Sequence, residues 1–337
     1  RDSKRMILIK NTTIPASMSD YYFRFNVSNG IKKYGLLAHQ HYAYLLSKKI
    51  DIQHPAKNSL SPTRTIEAQE EKHPNIIIIQ IESLDNTILD HEVGDIEVTP
   101  FLNRLYQNSI YLPFFFAQHS LGGSSDAEFS SLTGLLPASD VPSFPTLSLV
   151  NTPSVVKLLK QYGYQCHGFH GHTKHFWNRI GAYRDLGFND FHDISDYSNP
   201  AENEEIQDGP FFKQTLDKLS ILAENKKPIF AYLITMSTHG PYNKVPAIPT
   251  FNDSLHDTQL SNYFSAAHYM DKHLQDFILS LISIDDLKDS VIIIYGDHTT
   301  GLHASSYSAR RFSYGENVPL IIFDPTRHTP IKITEAA

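Results

Sequence analysis

The stretch NIIIIQIE, residues 75–82, sets five isoleucines in a row broken by one glutamine and closed by a glutamate. A short β-branched run with no polar alternation suits a strand covered on both faces, the situation inside a parallel sheet. Similar runs recur downstream at PIFAYLITM (228–236), VIIIYGDH (291–298) and VPLIIFDP (318–325), with a further strand near 165–169. Helical patterns lie between them. TPFLNRL (99–105) and TPSVVKLLKQYGY (152–164) both open with threonine then proline, which predicts Thr99 and Thr152 as N-caps with proline at the first helical position. LSNYFSAAHYMDKHLQDFILSLI (260–282) carries the apolar spacing of a long amphipathic helix. The alternation predicts an α/β fold built on a mainly parallel sheet.

The first 73 residues differ from this pattern. YGLLAHQHYAYLLSKK (34–49) reads as a helix and AKNSLSPTRTIEAQEEKHP (56–74) as a polar linker. Across all 337 residues the hydrophobic share is 41% and the charged share 19%, ordinary for a chain with a core. The net charge of −7 and the lack of a long basic run argue against a nucleic-acid partner. Cys166 is the only cysteine, so no intrachain disulfide can form. No apolar run is long enough to span a bilayer, and the chain opens at Arg1 without a leader pattern, so any membrane anchor is expected upstream of it.

In open α/β sheets ligands bind beyond the carboxyl ends of the strands. The residues that follow the apolar runs are Glu82, His170 with His172, Ser237-Thr238-His239, and Asp297-His298. Glu82, Asp297 and His298 form an oxygen, oxygen, nitrogen donor set, which suits Mn²⁺, Mg²⁺ or Zn²⁺. The turn HSLGGSSDAEFSSLTG (119–134) has two readings. Ser125-Asp126-Ala127-Glu128 is a capping-box pattern, while Ser124 at a helix N-terminus could serve as a metal-activated nucleophile beside amides that favour an anion. Arg179 offers a planar fork to a phosphate oxygen. Trp177 could wall a pocket, and His239 or His170 could donate to a phosphoryl oxygen or protonate a departing alkoxide.

The segments NIIIIQIES, TPFLN, GGSSDAEF, HGHTKHFWNR, TMSTHGPY and YGDH occur in this order between residues 74 and 325. Together they resemble the extracytoplasmic domain of lipoteichoic acid synthases, phosphoglycerol transferases of the sulfatase and alkaline phosphatase superfamily. The resemblance implies a sulfatase-like α/β domain over 74–337, its mainly parallel sheet flanked by helices, with a smaller C-terminal α+β part. Residues 1–73 would then be a linker and helical segment following a membrane anchor.

It also implies that Glu82, Asp297, His298 and Ser124 hold one divalent ion, Mn²⁺ foremost, and that Ser124 is the nucleophile. His170, Trp177, Arg179 and His239 would hold the glycerophosphate group. Three positions depart from the family pattern: Ser124 replaces a threonine, Gly123 a lysine, and His172 an acidic contact residue. Aligned on Leu132-Thr133-Gly134, the proline and arginine of the sulfatase C/S-x-P-x-R signature are Asp126 and Glu128, so formylglycine conversion and sulfate-ester hydrolysis are not expected. The implied reaction takes glycerophosphate from a phosphatidylglycerol-like lipid, through a seryl intermediate, to a hydroxyl on a glycan, glycolipid or polymer. Its place would be the extracytoplasmic face of a bacterial cytoplasmic membrane. A phosphodiesterase or phosphatase, or a phosphoethanolamine transferase, is the alternative on the same scaffold.

Overall fold

The computed structural model describes residues 73–198, 205–255, 257–304, 307–308, 311–312, 315–327 and 331–332. The helix read at 34–49 and the linker after it lie outside these residues. The chain divides into two compact units, residues 1–73 with Phe312–Gly315, and Pro74–Arg311 with Glu316–Ala337. The candidate site residues belong to the second unit.

Its centre is one sheet. In chain order the strands along its main path are β1 (Ile76–Ile81), β2 (Ile110–Phe116), β3 (Gln165–His170), β4 (Asp190–His192), β5 (Ile229–Ile234), β6 (Val291–Gly296), β7 (Gly315–Phe323) and β8 (Ile331–Lys332). Across the sheet they run β8-β2-β7-β6-β1-β5-β3-β4. Strand β1 pairs in parallel with β5 on one side and β6 on the other, while β7 alone on this path runs antiparallel to its neighbours.

The isoleucine run is buried for the expected reason. Ile77, Ile79 and Ile81 are fully buried in one cluster, with Ala231, Leu233, Ile292 and Ile294. Ile76 and Ile78 face a second cluster with Phe230, Tyr232 and Ile234. Each fully buried isoleucine stabilises the fold by about 1.5–3 kcal/mol. The first cluster is closed by helix α5 (Asp208–Ala223) and the long helix α6 (Thr258–Ser283), through Phe212, Leu219, Phe264, Met270 and Phe277. The second is closed by α2 (Ser124–Thr133), α3 (Val155–Gln161) and α4 (Arg179–Leu186), through Phe129, Val156 and Tyr183.

Several local expectations change. Helix α1 (Pro100–Gln107) has Thr99 as N-cap, but the Thr99 hydroxyl donates to the Ile88 carbonyl instead of capping. The first amides of α1 are taken by the Asp271 carboxylate on α6, which accepts from Phe101 and Leu102 at 2.8 Å each. Helix α3 starts after Ser154, not Thr152, because the Ser154 hydroxyl accepts from the Lys157 amide. The capping box at Ser125 does not form. Gly123 is the N-cap of α2, and Ser125 donates its hydroxyl to the Gly122 carbonyl. Strand β2 answers to no strand in the sequence reading. Among the described C-terminal residues, β7 and β8 join the central sheet. No helix among the described residues is long and apolar enough to cross a membrane.

Candidate active site

Four adjacent parallel strands, β6, β1, β5 and β3, deliver their C-terminal residues to one edge. Glu82 follows β1, Asp297 and His298 follow β6, His239 follows β5, and His170 ends β3. Glu82 and Asp297 sit on neighbouring strands, and one turn locks them together. Ser83 adopts a positive φ of 53°, donates its amide to Asp297 Oδ1 at 2.8 Å and its hydroxyl to Glu82 Oε1 at 2.9 Å. Gly296 makes that approach possible, because a Cβ there would lie 2.0 Å from the Leu84 carbonyl oxygen.

Ligand atoms of Glu82, Asp297 and His298 all lie within 4.8 Å of one another. His298 Nε2 is 3.3 Å from Glu82 Oε1 and 3.7 Å from Asp297 Oδ2. Its Nδ1 donates to the Thr299 carbonyl at 3.0 Å, which fixes the tautomer and aims Nε2 at the carboxylates. Burial works against charge on all three groups. Asp297 is raised by that burial and by the charge of Glu82. Burial would lift Glu82 as well, but His298 and Ser124 hydrogen bonds hold it well below the usual carboxylate range. Burial would lower His298, yet Asp297 and Glu82 outweigh it and keep the imidazole protonated far above its ordinary range. The two carboxylates and His298 Nε2 converge on one position. With one orienting imidazole they fit a small divalent ion, whose binding would displace that proton.

Ser124 opens α2 beside this cluster and is half-buried. Its hydroxyl donates to Glu82 Oε2 at 2.8 Å. The preceding residue, Gly123, takes φ 49° and ψ −122°, a backbone that only glycine adopts without strain. Asp126 pins the turn from within the helix, accepting from the amides of Gly122 (2.8 Å), Ser143 (2.9 Å) and Ser120 (3.1 Å). The amides of Ser125, Asp126 and Ala127 already bond to the Gly122 and Gly123 carbonyls. The helix therefore offers an anion its dipole, while these three amides are already taken.

Arg179 is 2% exposed and Glu128 fully buried, so the surface ion pair that would be Arg179's ordinary role is replaced by a buried one. Arg179 donates from Nε to both Glu128 oxygens at 3.0 and 3.1 Å and from Nη2 to Oε1 at 2.6 Å. Tyr183 donates its hydroxyl to Glu128 Oε2 at 2.8 Å. The remaining guanidinium nitrogen, Nη1, is buried with no hydrogen-bond partner among the described residues. The field of the guanidinium reaches His170 and Glu82. A charged donor left over at a dry edge is what a phosphoryl oxygen would take up.

His170 is buried, and its Nδ1 donates to the Ile234 carbonyl at 3.0 Å. Burial and then Arg179 push it well below the ordinary histidine range. Its Nε2 is the ring nitrogen left for a ligand. His239 is exposed, with Nδ1 donating to the Gly240 carbonyl at 2.8 Å and Nε2 left for a ligand. Trp177 is half-buried and belongs to neither core cluster. Trp177 and Asn178 both take φ 55°, a locally strained pair at the entrance to α4. His172 packs its ring 6.0 Å from that of His170. His175, read as a loop residue, is exposed.

Three buried polar residues at this edge escaped the sequence reading. Glu128 was hidden by its capping-box spacing, although its place four residues after Ser124 puts both on one face of α2. Gln80 is visible as the interruption of the isoleucine run. Asp208, fully buried, accepts from the Met236 and Ser237 amides and so anchors the segment that leads to His239. No local signal marks it.

Comparison with known proteins identifies relatives of this chain. Residues 74–336 match the sulfatase family model. Lipoteichoic acid synthase 2 of Bacillus subtilis (strain 168) is 35% identical over 231 residues, which are 66% of this chain and 35% of that protein. The lipoteichoic acid synthase of Staphylococcus saprophyticus is 32% identical over 268 residues, covering 77% of this chain and 41% of its own length. The chain thus spans well under half the length of these curated relatives. Among solved structures, the lipoteichoic acid synthase LtaP from Listeria monocytogenes superposes with a TM-score of 0.70 at 27% identity, over 77% of this chain and 67% of that one.

Proposed function

We propose that this chain, which belongs to the sulfatase family, is a metal-dependent phosphoglycerol transferase. The observation that carries the proposal is the half-buried Ser124 hydroxyl, bonded at 2.8 Å to Glu82 within the Glu82–Asp297–His298 donor set. The lipoteichoic acid synthase relatives support glycerophosphate as the group moved.

Glu82, Asp297, His298 and Ser124 would hold one divalent ion, with Mn²⁺ foremost. Such an ion lowers the pKa of a bound hydroxyl and offsets charge on the phosphoryl oxygens. Ser124 attacks the phosphorus of a phosphatidylglycerol-like lipid as the alkoxide, its proton already released to solvent, and Glu82 orients its oxygen. The phosphorus–oxygen bond to diacylglycerol breaks, and His239 Nε2 donates a proton to the departing oxygen. A hydroxyl on a glycan, glycolipid or polymer then gives its proton to His239 and displaces Ser124. Arg179 Nη1 holds a phosphoryl oxygen through both steps, where positioning and electrostatics supply most of the catalysis. His170 Nε2 accepts from a hydroxyl of the glycerol, with Trp177 and His172 as neighbouring walls. With a lipid donor the site would work at a membrane surface, on its extracytoplasmic face in this reading.

The test is diacylglycerol release from phosphatidylglycerol vesicles with Mn²⁺, comparing the wild type with Ser124→Ala. Metal-dependent release that is lost in the variant is expected. Full turnover by Ser124→Ala would remove Ser124 as the nucleophile. Release of free glycerophosphate at the same rate with and without a sugar acceptor would make the enzyme a hydrolase. Consumption of phosphatidylethanolamine in place of phosphatidylglycerol would change the head group and keep the site.

A further inference from the structure

Gln80 is the one polar side chain inside β1, and it is fully buried. Its Nε2 donates to the Ser124 carbonyl at 3.3 Å and to Asp297 Oδ2 at 3.4 Å. Its Oε1 accepts from the hydroxyls of Tyr232 at 2.7 Å and Tyr295 at 2.5 Å. Those two hydroxyls also meet each other at 2.5 Å, and Ser131 Oγ lies 2.8 Å from Tyr232 and 3.2 Å from Tyr295.

The chemistry of these partners fixes which way the amide points. A backbone carbonyl and a carboxylate oxygen can only accept, so the NH₂ end must face them. Flipping the amide would set oxygen against oxygen twice in a buried place, at a cost of about 1–3 kcal/mol for each unsatisfied group. The tyrosine hydroxyls at the other end can donate or accept, so it is the Ser124 and Asp297 end that fixes the orientation and leaves Oε1 to the tyrosine pair. Gln80 therefore ties the first residue of α2 to one carboxylate of the donor set through a single rigid amide.

We infer that Gln80 is a positioning residue, one that sets Asp297 Oδ2 and the backbone of Ser124 in mutual register. This rests on the reading of Glu82, Asp297 and His298 as a divalent-metal site. Gln80 touches neither substrate nor the metal position. It acts through Asp297 and Ser124, as hydrogen-bonding partners beyond the ligands do when they orient a metal site. An apolar residue in its place would satisfy the strand's packing and take away the amide donor of Asp297 Oδ2, leaving the carboxylate held through Oδ1 by the Ser83 and His298 amides at 2.8 Å each, so burial alone does not require an amide here.

The test titrates Mn²⁺ into the whole metal-free chain, by calorimetry or loss of the free-ion paramagnetic resonance signal, for the wild type and Gln80→Met. Methionine keeps the length of glutamine without its hydrogen bonds, and the tyrosine hydroxyls keep each other and Ser131. The expected result is a roughly 10- to 100-fold loss of Mn²⁺ affinity, a lower kcat, and an unchanged KM for the lipid donor. Equal Mn²⁺ affinity in the two proteins overturns the role, whether or not Gln80→Met melts at a lower temperature. A wild type that takes up no Mn²⁺ overturns the metal reading and this role together. Should Gln80→Met fail to fold, Tyr295→Phe carries the test. It keeps the amide and removes one hydroxyl that holds it, so affinity is expected to fall about two- to tenfold, the size of one hydrogen bond. Unchanged affinity in Tyr295→Phe would then overturn the inference.

Discussion

Changing Glu128 to glutamine keeps the shape of the side chain and removes its charge from beneath Arg179. Glu128 accepts three hydrogen bonds from the guanidinium and one from Tyr183. The pair's side chains are 0% and 3% exposed, so solvent does little to screen it. The new amide can keep its oxygen toward Nε and Nη2 and turn its nitrogen to the Tyr183 hydroxyl, which can accept as well as donate. One bond from Nε is then lost, and the others lose the assistance of a full negative charge. Charged hydrogen bonds contribute about 1.5–3 kcal/mol against about 0.5–1.5 for neutral ones. Breaking a buried pair from one side costs about 3–5 kcal/mol, because the surviving charge stays buried. With the shape preserved, the lower end, about 3 kcal/mol, is the expected loss, and at roughly 2–4 °C per kcal/mol for a domain of this size the midpoint should fall by about 6–12 °C. Urea unfolding with an unchanged slope measures it directly. The double variant Glu128→Gln/Arg179→Met removes the stranded charge and should recover at least half of that stability while remaining inactive. A single variant that loses less than about 1 kcal/mol, or a double variant no more stable than the single, would refute the reasoning, since both outcomes mean that the guanidinium does not depend on Glu128.

Two more perturbations separate backbone, charge and chemistry. Gly123→Ala meets nothing within 4 Å of its new Cβ, so its whole effect comes from the positive φ. A loss of about 1–3 kcal/mol in unfolding free energy is expected, with reduced turnover as Ser124 shifts; wild-type stability would show that the turn relaxes freely. Asp208 is raised from 3.8 to about 6, chiefly by burial. The folded state then holds more protons than the unfolded one between these values, so the Asp208 contribution to stability falls as pH rises through that window. Asp208→Asn cannot titrate, and from pH 4 to pH 7 its stability should gain up to about 3 kcal/mol on the wild type. Parallel pH profiles for the two proteins would contradict the shift.

Strands β1, β5 and β6 were legible because each is an apolar run closed by a polar residue, and the order β6-β1-β5-β3 turns four separate strand ends into one edge. That is why Glu82, His170, His239, Asp297 and His298 could be assembled on paper. What escaped reading depends on partners far away along the chain. Thr99 looks like the cap of α1, but Asp271, 170 residues from Phe101, makes the bonds. Ser125 and Glu128 have the spacing of a capping box, yet the partner that decides Glu128 is Arg179, 51 residues on. Local propensity and a distant charge compete for the same carboxylate, and a buried guanidinium prevails because its alternative is an unpaired ion in a dry place.

Gln80 shows the complementary case, in which a single residue carries the information but not its meaning. An amide inside a strand covered on both faces must find two sets of partners or cost the fold several kcal/mol. Its presence therefore announces a buried polar network, and the end of the strand two residues later tells where that network leads. Glu82 satisfies its own burial through Ser83, Ser124 and His298, groups from three different elements. In a run as apolar as NIIIIQIE, the residues that break the pattern are those the surrounding structure has to be built to receive.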